Sequence, residues 1–311
     1  MRLSTSFLYQ RQLDSMSKAM SNYNDISERL ASGQSLLKPS DDPNKASQAL
    51  SYQNQLSRID EFGTARTYAQ DALGQEDTKL TSISGILTDD LAGKIVQAGS
   101  ETYSKADREA LATELAGIRS RLIDLGNSKN SDGQYMFAGY KTGSAPFKDD
   151  GTYVGGTTAM TQNVSDSAKM DVSTTGNELF PTDAATGNNL MQSLQKTIDA
   201  LNNLPENPTD AERKTFEATL AQTNTDVHKA IDNIGKIQAG VGSSLQQLET
   251  LGSSADTQAI TIESRLEEST GADMGSMSDM ITKSKMAEFA LNSSMSVFQT
   301  MQQLSIFKMF A

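Results

Sequence analysis

The residue types that most often perform catalysis are scarce in this sequence. His228 is the single histidine, it stands in the segment "NTDVHKAID", and the chain contains no cysteine. A Ser/His/Asp nucleophile set therefore cannot be assigned, and a zinc site would have neither thiolates nor a second imidazole. We interpret His228 as an exposed helical histidine, and we predict that the protein is not an enzyme and binds no metal or cofactor.

Two pairs of adjacent acids could suggest calcium binding. They lie in "DDPNK", which begins at Asp41, and in "KDDGTY", which contains Asp149 and Asp150. Neither segment follows the D-x-[DN]-x-[DN]-G loop with its distant glutamate, so helix capping and turn formation explain both pairs better. The segment "SDGQYMFAGYKTGSAPF" contains Gly, Lys and Ser, but not in the order of a phosphate-binding loop. It predicts turn-rich β structure instead.

Length and composition predict a folded protein with more than one domain. The chain has 311 residues, 36% of them hydrophobic, and it lacks both Cys and Trp. Packing rather than disulfides must therefore stabilise the fold. No segment approaches the roughly 20 apolar residues of a membrane span, and the first residues do not follow the pattern of a cleaved signal peptide. Any export must use an uncleaved, non-classical signal.

The distribution of charge separates the ends of the chain from its middle. The net charge is -12, which argues against binding to nucleic acid or to an anionic membrane. Residues 1–41 carry five basic and four acidic groups, and residues 272–311 carry three of each. The two ends are therefore nearly neutral, whereas residues 42–271 carry a charge of -13.

Apolar residues near both ends of the chain recur with the alternating spacing of three and four residues that is typical of coiled coils. The N-terminal members are Tyr9, Leu13, Met16, Met20, Tyr23 and Leu30. The C-terminal members include Met280, Ala287, Leu291, Phe298 and Met301. These two seams predict terminal helices that can pair with each other.

The segment "KPSDDP" predicts a break between two helices. Pro39 disfavours the helical conformation at the residue before it, and Asp42 followed by Pro43 is a good N-cap followed by a first-turn proline. A new helix should therefore begin at Pro43 and extend to about Ser100.

The remaining pattern predicts helices, then a β-rich insertion, then helices again. "SKAD" at residues 104–107 resembles a capping box, and the sequence between residues 131 and 186 has short alternating runs among Gly, Asp, Ser and Thr. The predicted fold is mainly α: an elongated antiparallel helical bundle with paired terminal coiled-coil helices and a small inserted β-rich domain. We predict three domains, as follows: residues 1–42 with 266–311, residues 43–130 with 187–265, and residues 131–186.

The stretch "FALNSSMSVFQTMQQLSIF", residues 289–307, contains no charged residue. A solvated helix usually carries Lys and Glu on its outer face, so this composition favours a helix surrounded by other helices. The alternative is a weakly charged tail that is disordered until it binds a partner. Both interpretations predict that the C-terminal segment contacts another protein.

Several motifs resemble the flagellin superfamily over nearly the whole chain. They are "RLASGQSLLKPSDDPNKASQAL", "TARTYAQDAL", "DREALATELAGIRSRLIDLGNS", "DGQYMFAGYKTGSAPF" and "SDMITKSKMAEFALNSSMSVFQTMQQLSIFKMF". The "YMFAGYKTGSAPF" motif followed by a short insertion is similar to the junction proteins between hook and filament. This resemblance implies a secreted structural protein of the bacterial flagellum, an adaptor ring at the hook-filament junction. It also implies that residues 32–43, with Pro39, Asp41, Asp42 and Pro43, connect an inner tube of terminal helices to an outer bundle. By the same resemblance, the residues of the two terminal seams form the assembly interface.

The resemblance also implies the partners. They would be copies of the chain itself, the hook-side junction protein, flagellin, a cytoplasmic export chaperone and the type III export apparatus. A filament flagellin subunit is the near alternative, because the terminal motifs are shared across the superfamily. A secreted hydrolase on the same scaffold is a distant alternative that would require a catalytic set in residues 128–186, and none is recognisable there.

Overall fold

The computed structural model of the chain describes residues 2–100, 103–184 and 186–307, with side chains from residue 7 to residue 303 within those ranges. The described residues form two compact units. The terminal unit comprises residues 1–60 and 255–311, and the outer unit comprises residues 61–254. The three-domain division of the sequence stays a prediction. Within the described residues no helix is long and apolar enough to cross a bilayer.

The chain is mainly helical, as the sequence predicts. The helices are α1 (Arg2–Ser32), α2 (Pro43–Gly85), α3 (Ala92–Ala98), α4 (Lys105–Gly126), α5 (Gly176–Leu179), α6 (Leu190–Asn203), α7 (Asp210–Thr270) and α8 (Met274–Phe307). A π-helical segment, Ile86–Leu91, joins α2 to α3, and a short 3-10 turn occupies Met136–Ala138. Two strands, β1 (Thr161–Asn163) and β2 (Lys169–Asp171), form a small antiparallel sheet. The prediction of a helical bundle with a small β region is confirmed.

Local hydrogen bonds explain where several helices begin. Ser104 and Asp107 form the predicted capping box before α4, and Thr209 and Glu212 bond in the same reciprocal way before α7. Both positions were recognisable because a hydroxyl at the N-cap and a carboxylate three residues later satisfy the first free amides of a helix. The predicted helix from Pro43 also forms, but it contains the π-helical segment. There Thr88 donates a hydrogen bond to the Ser84 carbonyl at 2.9 Å.

The inserted segment contains less strand than its sequence suggests. Only three residues of each strand pair, with Gln162 opposite Met170, and single bridges join Lys129 to Tyr135 and Phe147 to Tyr153. The rest of the segment forms turns. Its side chains accept hydrogen bonds from nearby backbone amides, so those amides need no neighbouring strand. The Asn130 side chain, for example, accepts hydrogen bonds from two amides of its own loop.

The core of the outer unit is dense and almost entirely apolar. Helices α4 and α6 pack against one another. Buried side chains from α2, α3, α4, α6, α7 and the inserted segment form one cluster. Its largest fully buried members include Phe137, Phe180, Leu80, Ile83, Leu115 and Leu194. A core of this kind stabilises residues 61–254 without help from another chain.

Candidate assembly interface

Helices α1 and α8 pack along one another, and they form the helical pair that the terminal seams predict. The Tyr9 and Phe298 rings lie 5.5 Å apart, and the Gln12 side chain donates a hydrogen bond to the Ser294 carbonyl at 3.2 Å. Side chains from both ends of the chain therefore meet directly in the terminal unit.

Each predicted seam position of α8 is buried or half-buried. Met280 and Ala287 are buried, with 5% and 4% of their surface exposed, and Leu291, Phe298 and Met301 are half-buried. The spacing of these residues keeps one stripe of the helix turned toward its partner. This stripe is the most enclosed part of the helix pair.

The seam of α1 is more open. Met16, Tyr23 and Leu30 are half-buried, whereas Leu13 and Met20 are 36% and 53% exposed. Gln12, Ala19 and Ile26 are half-buried as well, and Gln12 and Ala19 directly precede Leu13 and Met20. The sequence pattern favours the larger apolar residue at each turn, but the helix turns the neighbouring residue inward. Leu13 and Met20 therefore keep surface available for another chain.

Further apolar side chains on both helices lie in solvent. On α8 Phe289 is 73% exposed, Met286 66% and Val297 50%, and on α1 Phe7 is 59% and Leu8 49% exposed. Complete burial of one such side chain contributes about 1.5 to 3 kcal/mol. A complex in which an apolar surface of another chain covers several of them would therefore be strongly stabilised. Phe289 and Val297 belong to the uncharged stretch that the sequence singles out, although the heptad pattern does not select them.

A connector joins α1 to α2 and is held by backbone hydrogen bonds. Gly33 and Gly271 both have positive φ, +71° and +65°, and they end α1 and α7. The Thr270 carbonyl, at the end of α7, accepts hydrogen bonds from the Ser35 and Leu36 amides at 3.0 Å each. The two chain segments that enter and leave the terminal helices are thereby tied together.

Asp41 is the centre of the connector's polar contacts. Its carboxylate accepts hydrogen bonds from the Leu37 and Lys38 amides at 3.2 Å and 3.1 Å, and it forms an ion pair of 3.3 Å with Arg29. The Lys38 amide is the largest cause that lowers the pKa of Asp41 below its ordinary value of 3.8, followed by the Leu37 amide and the charge of Arg29. Arg29 also donates to the Ser35 carbonyl. The ionised carboxylate thus fixes the turn that contains Pro39.

The neighbouring acid has the capping role that the sequence predicts. The Asp42 carboxylate accepts hydrogen bonds from the Asn44 and Lys45 amides, both at 3.1 Å, and α2 begins at Pro43. Because proline lacks an amide hydrogen, it suits the first position of a helix. Asp41 therefore stabilises the turn, and Asp42 caps the helix that follows it.

The described residues contain no arrangement that suggests catalysis. His228 is exposed on α7, as predicted, and no group of three His, Asp or Glu side chains in the described part of the chain could hold a metal ion. The second acidic pair belongs to a turn in which Asp150 accepts a hydrogen bond from the Thr152 amide at 2.8 Å.

Known proteins resemble this chain over its full length. The sequence matches the bacterial flagellin N-terminal helical region over residues 3–142. It is 31% identical to flagellar hook-associated protein 3 of Escherichia coli and 30% identical to that of Salmonella typhimurium, and each match covers 99% of both chains. The fold is similar to that of the flagellar junction protein FlgL from Legionella pneumophila, with a TM-score of 0.58 and 19% identity. That match covers 72% of this chain and 100% of the other.

Proposed function

The chain belongs to the family of flagellar hook-associated protein 3, and from this membership we propose how its subunits join in the flagellum. The protein is a structural component of the bacterial flagellum at the hook-filament junction. The alternative of a filament flagellin is not favoured, because the curated relatives that match over the full length are hook-associated proteins. In the proposed arrangement, copies of the chain form an adaptor ring between the hook-side junction protein and the flagellin filament.

The exposed apolar side chains of α1 and α8 support this arrangement most strongly. Met280 and Ala287 hold the two helices together inside a subunit, whereas Leu13, Met20 and Phe289 keep much of their surface exposed. In a ring these exposed side chains would pack against the terminal helices of neighbouring copies. The absence of charge from residue 289 to the end of α8 would prevent repulsion between copies.

The same surface supports proposals about the partners. Before assembly, a subunit that exposes Phe289 and Met286 needs protection from aggregation, and an export chaperone that covers α8 would supply it. Export through the flagellar type III apparatus requires an unfolded chain, and the lack of cysteine is compatible with this route. The hook-side junction protein and flagellin are the proposed contacts on the two faces of the ring.

The connector supports a structural rather than a catalytic role. We assign residues 32–43 to the link between an inner layer of terminal helices and the outer domains, with the prolines preventing fusion of α1 and α2. Catalytic activity is not part of the proposal, because the relatives are structural proteins and His228 has no catalytic partner among the described side chains. The protein would act by holding two helical assemblies together.

Substitution of Phe289 by Asp tests the proposed interface. Because Phe289 is 73% exposed, Phe289→Asp should leave the helical content of the isolated subunit unchanged. In an assembled ring the same carboxylate would be buried without a partner, at a cost of several kcal/mol. Cells that carry Phe289→Asp should therefore export the protein but build hooks without filaments and release flagellin into the medium.

Val96→Asp is the matched control. Val96 is 71% exposed on α3 of the outer unit, so the chemical change is similar but lies outside the terminal helices. This variant should support normal filaments. Electron microscopy of the flagella, with immunoblots of the variant protein in cells and medium, separates failed export from failed assembly. Filaments of normal length on Phe289→Asp cells would contradict the proposed interface.

A further inference from the structure

Glu76 is a buried carboxylate in the outer unit that the proposed function does not use. It lies on α2 with 2% of its surface exposed. One carboxylate oxygen, Oε2, accepts a hydrogen bond from the Thr174 amide at 3.2 Å. The other oxygen, Oε1, is buried without a hydrogen-bond partner among the described residues. An ionised carboxylate in this position would be poorly compensated, because burial strongly disfavours an unpaired charge.

A second carboxylate binds the very next amide. Glu178, on α5, accepts hydrogen bonds from the Thr175 amide at 2.9 Å and from the Thr175 hydroxyl at 3.1 Å. Glu76 and Glu178 therefore hold the consecutive amides of Thr174 and Thr175. Two carboxylates so close together resist simultaneous ionisation, and the more deeply buried one retains its proton to higher pH.

The space beside Glu76 is lined by apolar side chains, among them Ala72, Met136 and Val172, and by neutral polar ones, and its lining carries no positive charge. A cavity of about 30 Å³ adjoins its carboxyl group. The amide and hydroxyl side chains that line this cavity are Asn130, Gln134, Tyr68, Tyr135, Thr142 and Ser173. Oε1 has no hydrogen-bond partner among the described residues, so nothing there compensates a negative charge. A protonated carboxyl group keeps Oε2 as the acceptor for the Thr174 amide without burying that charge.

No charged group named on the surrounding elements supplies a positive charge that would stabilise ionised Glu76. Asp77 on α2 and Glu178 on α5 both act against the ionised form of Glu76. Lys129 lies over the Tyr135 ring, 4.7 Å from its centroid, and Lys236 of α7 lines a separate groove together with Glu178. Burial is the largest cause that raises the pKa of Glu76 from its ordinary value of 4.5 to about 7.

We propose that Glu76 is a proton-dependent attachment between α2 and the inserted segment of the outer unit. With its proton, Glu76 holds the Thr174 region against α2. Without it, a buried negative charge lies beside Glu178 and the Thr174 region opens more readily. A change across neutral pH would thus alter the mobility of the insertion while leaving the terminal helices unaffected. The inference stands on the outer unit alone and does not depend on the flagellar role.

The direction of the effect follows from the two protonation states. Because the pKa of Glu76 is higher in the folded protein than its ordinary value of 4.5, the folded state binds the proton more tightly. The stabilisation is complete below pH 4.5 and is lost as the pH rises through about 7. With these values, the opening equilibrium of the Thr174 region increases about 30-fold between about pH 5.5 and about pH 8.5.

Hydrogen exchange of the full chain measures this opening directly. Peptides that contain the Thr174 amide are followed by mass spectrometry across the pH range, after correction for the intrinsic exchange rate. The wild type should show the increase of about 30-fold. Glu76→Gln keeps an acceptor for Thr174 but cannot ionise, so its opening should be nearly independent of pH. Glu61→Gln, at an exposed acid on the same helix, should behave like the wild type.

Two results would overturn the proposal. One is a pH dependence of the Thr174 region that is the same in the wild type and in Glu76→Gln. The other comes from carbon NMR of the wild-type side chain and does not require a variant that folds. A Glu76 carboxyl group that titrates near its ordinary value of 4.5 would exclude a retained proton. In Glu178→Gln, which keeps the acceptor for Thr175, the pKa of Glu76 should fall.

Discussion

The outer unit and the terminal helices differ in where they keep their apolar side chains. In residues 61–254, large side chains such as Phe137 and Phe180 are no more than 1% exposed. In α1, by contrast, none of the described side chains is fully buried, and in α8 Phe289 is 73% exposed. The two regions have similar helices but opposite distributions of apolar surface.

In the proposed arrangement, this difference means that the outer unit has its own core, whereas assembly would cover the apolar surface of the terminal helices. Exposed apolar surface in water is unfavourable, and large amounts of it on a soluble protein usually mark an interface. The outer unit already has its core, so a neighbour would add little to its stability. The terminal helices would gain much of their stability from neighbouring copies.

The connector shows that the terminal unit is not simply unstructured. Its turn has a charge-assisted contact between Arg29 and Asp41, and its two amides at Ser35 and Leu36 are satisfied by the Thr270 carbonyl. Local hydrogen bonds therefore fix the geometry of the connector inside one subunit. These backbone amides of the connector have hydrogen-bond partners. Several apolar side chains of α1 and α8, by contrast, remain exposed.

Truncation of one aromatic side chain in each region should give the largest contrast. Phe180→Ala removes a side chain that is 1% exposed, and we expect it to lower the unfolding free energy of the outer unit by about 3 to 5 kcal/mol. Phe298→Ala removes a half-buried ring, and in the isolated subunit it should cost only about 1 to 2 kcal/mol.

Native-state hydrogen exchange of the isolated subunit reports the two regions separately. Peptides from α4 should lose protection in Phe180→Ala, and peptides from α1 should lose it in Phe298→Ala. If Phe180→Ala and Phe298→Ala lowered the unfolding free energy equally, the contrast between the outer unit and the terminal helices would be wrong. In the proposed ring, neighbouring copies would cover the Phe298 ring, so the cost of Phe298→Ala should increase when assembled protein is measured.

The sequence predicts the helices better than it predicts the contacts of individual side chains. The stripe of Leu111, Leu115, Ile118 and Leu122 is buried on α4 as its period requires. On α1 the period is correct, but small and polar residues face α8 where Leu13 and Met20 were expected. Periodicity identifies a stripe to within one residue, and helix packing then decides which neighbour turns inward.

Two other features could not be read from local pattern. The inserted segment satisfies its amides with its own side chains, so alternating residues there do not produce long strands. Glu76 looks like an ordinary surface acid of an amphipathic helix, and its burial and its hydrogen bond from the distant Thr174 amide arise only in the folded chain. The proposed terminal interface rests on absent charge and regular apolar spacing, both of which are visible in the sequence without knowledge of contacts.

Two glycines of the terminal unit offer a matched pair with a smaller expected effect. Gly33 and Gly271 both have positive φ, so Ala at either position should cost about 1 kcal/mol in the left-handed conformation. At Gly271 an added Cβ would also overlap the Ser35 hydroxyl, whereas at Gly33 the nearest atom is the Met277 Cε at 3.7 Å. Gly271→Ala should therefore be more destabilising by roughly another 1 kcal/mol.

Urea unfolding of the two variants measures the difference in stability. Hydrogen exchange of peptides from the ends of α1 and α7 then shows which amides each variant exposes. Only Gly271→Ala should expose the Ser35 and Leu36 amides, because it displaces the segment that binds Thr270. If Gly33→Ala exposes them equally, the tie between the two chain segments does not depend on close approach at Gly271.

The smallest effect should come from the charge of the connector. Asp41→Asn removes the ion pair with Arg29 and weakens the acceptor for the Leu37 and Lys38 amides, so these amides should exchange a few-fold faster. Asp42→Asn is the neighbouring control, because Asn caps a helix as well as Asp does, and its variant should leave those two amides unchanged. Since the pKa of Asp41 is lowered in the folded state, its stabilising effect is present above the ordinary value of 3.8 and is lost as the pH falls below it. Wild-type protein should therefore approach the faster exchange of Asp41→Asn as acid protonates Asp41, and the variant itself should change little on acidification. Amide exchange measured by NMR would contradict this assignment if Asp42→Asn freed the Leu37 and Lys38 amides as much as Asp41→Asn does.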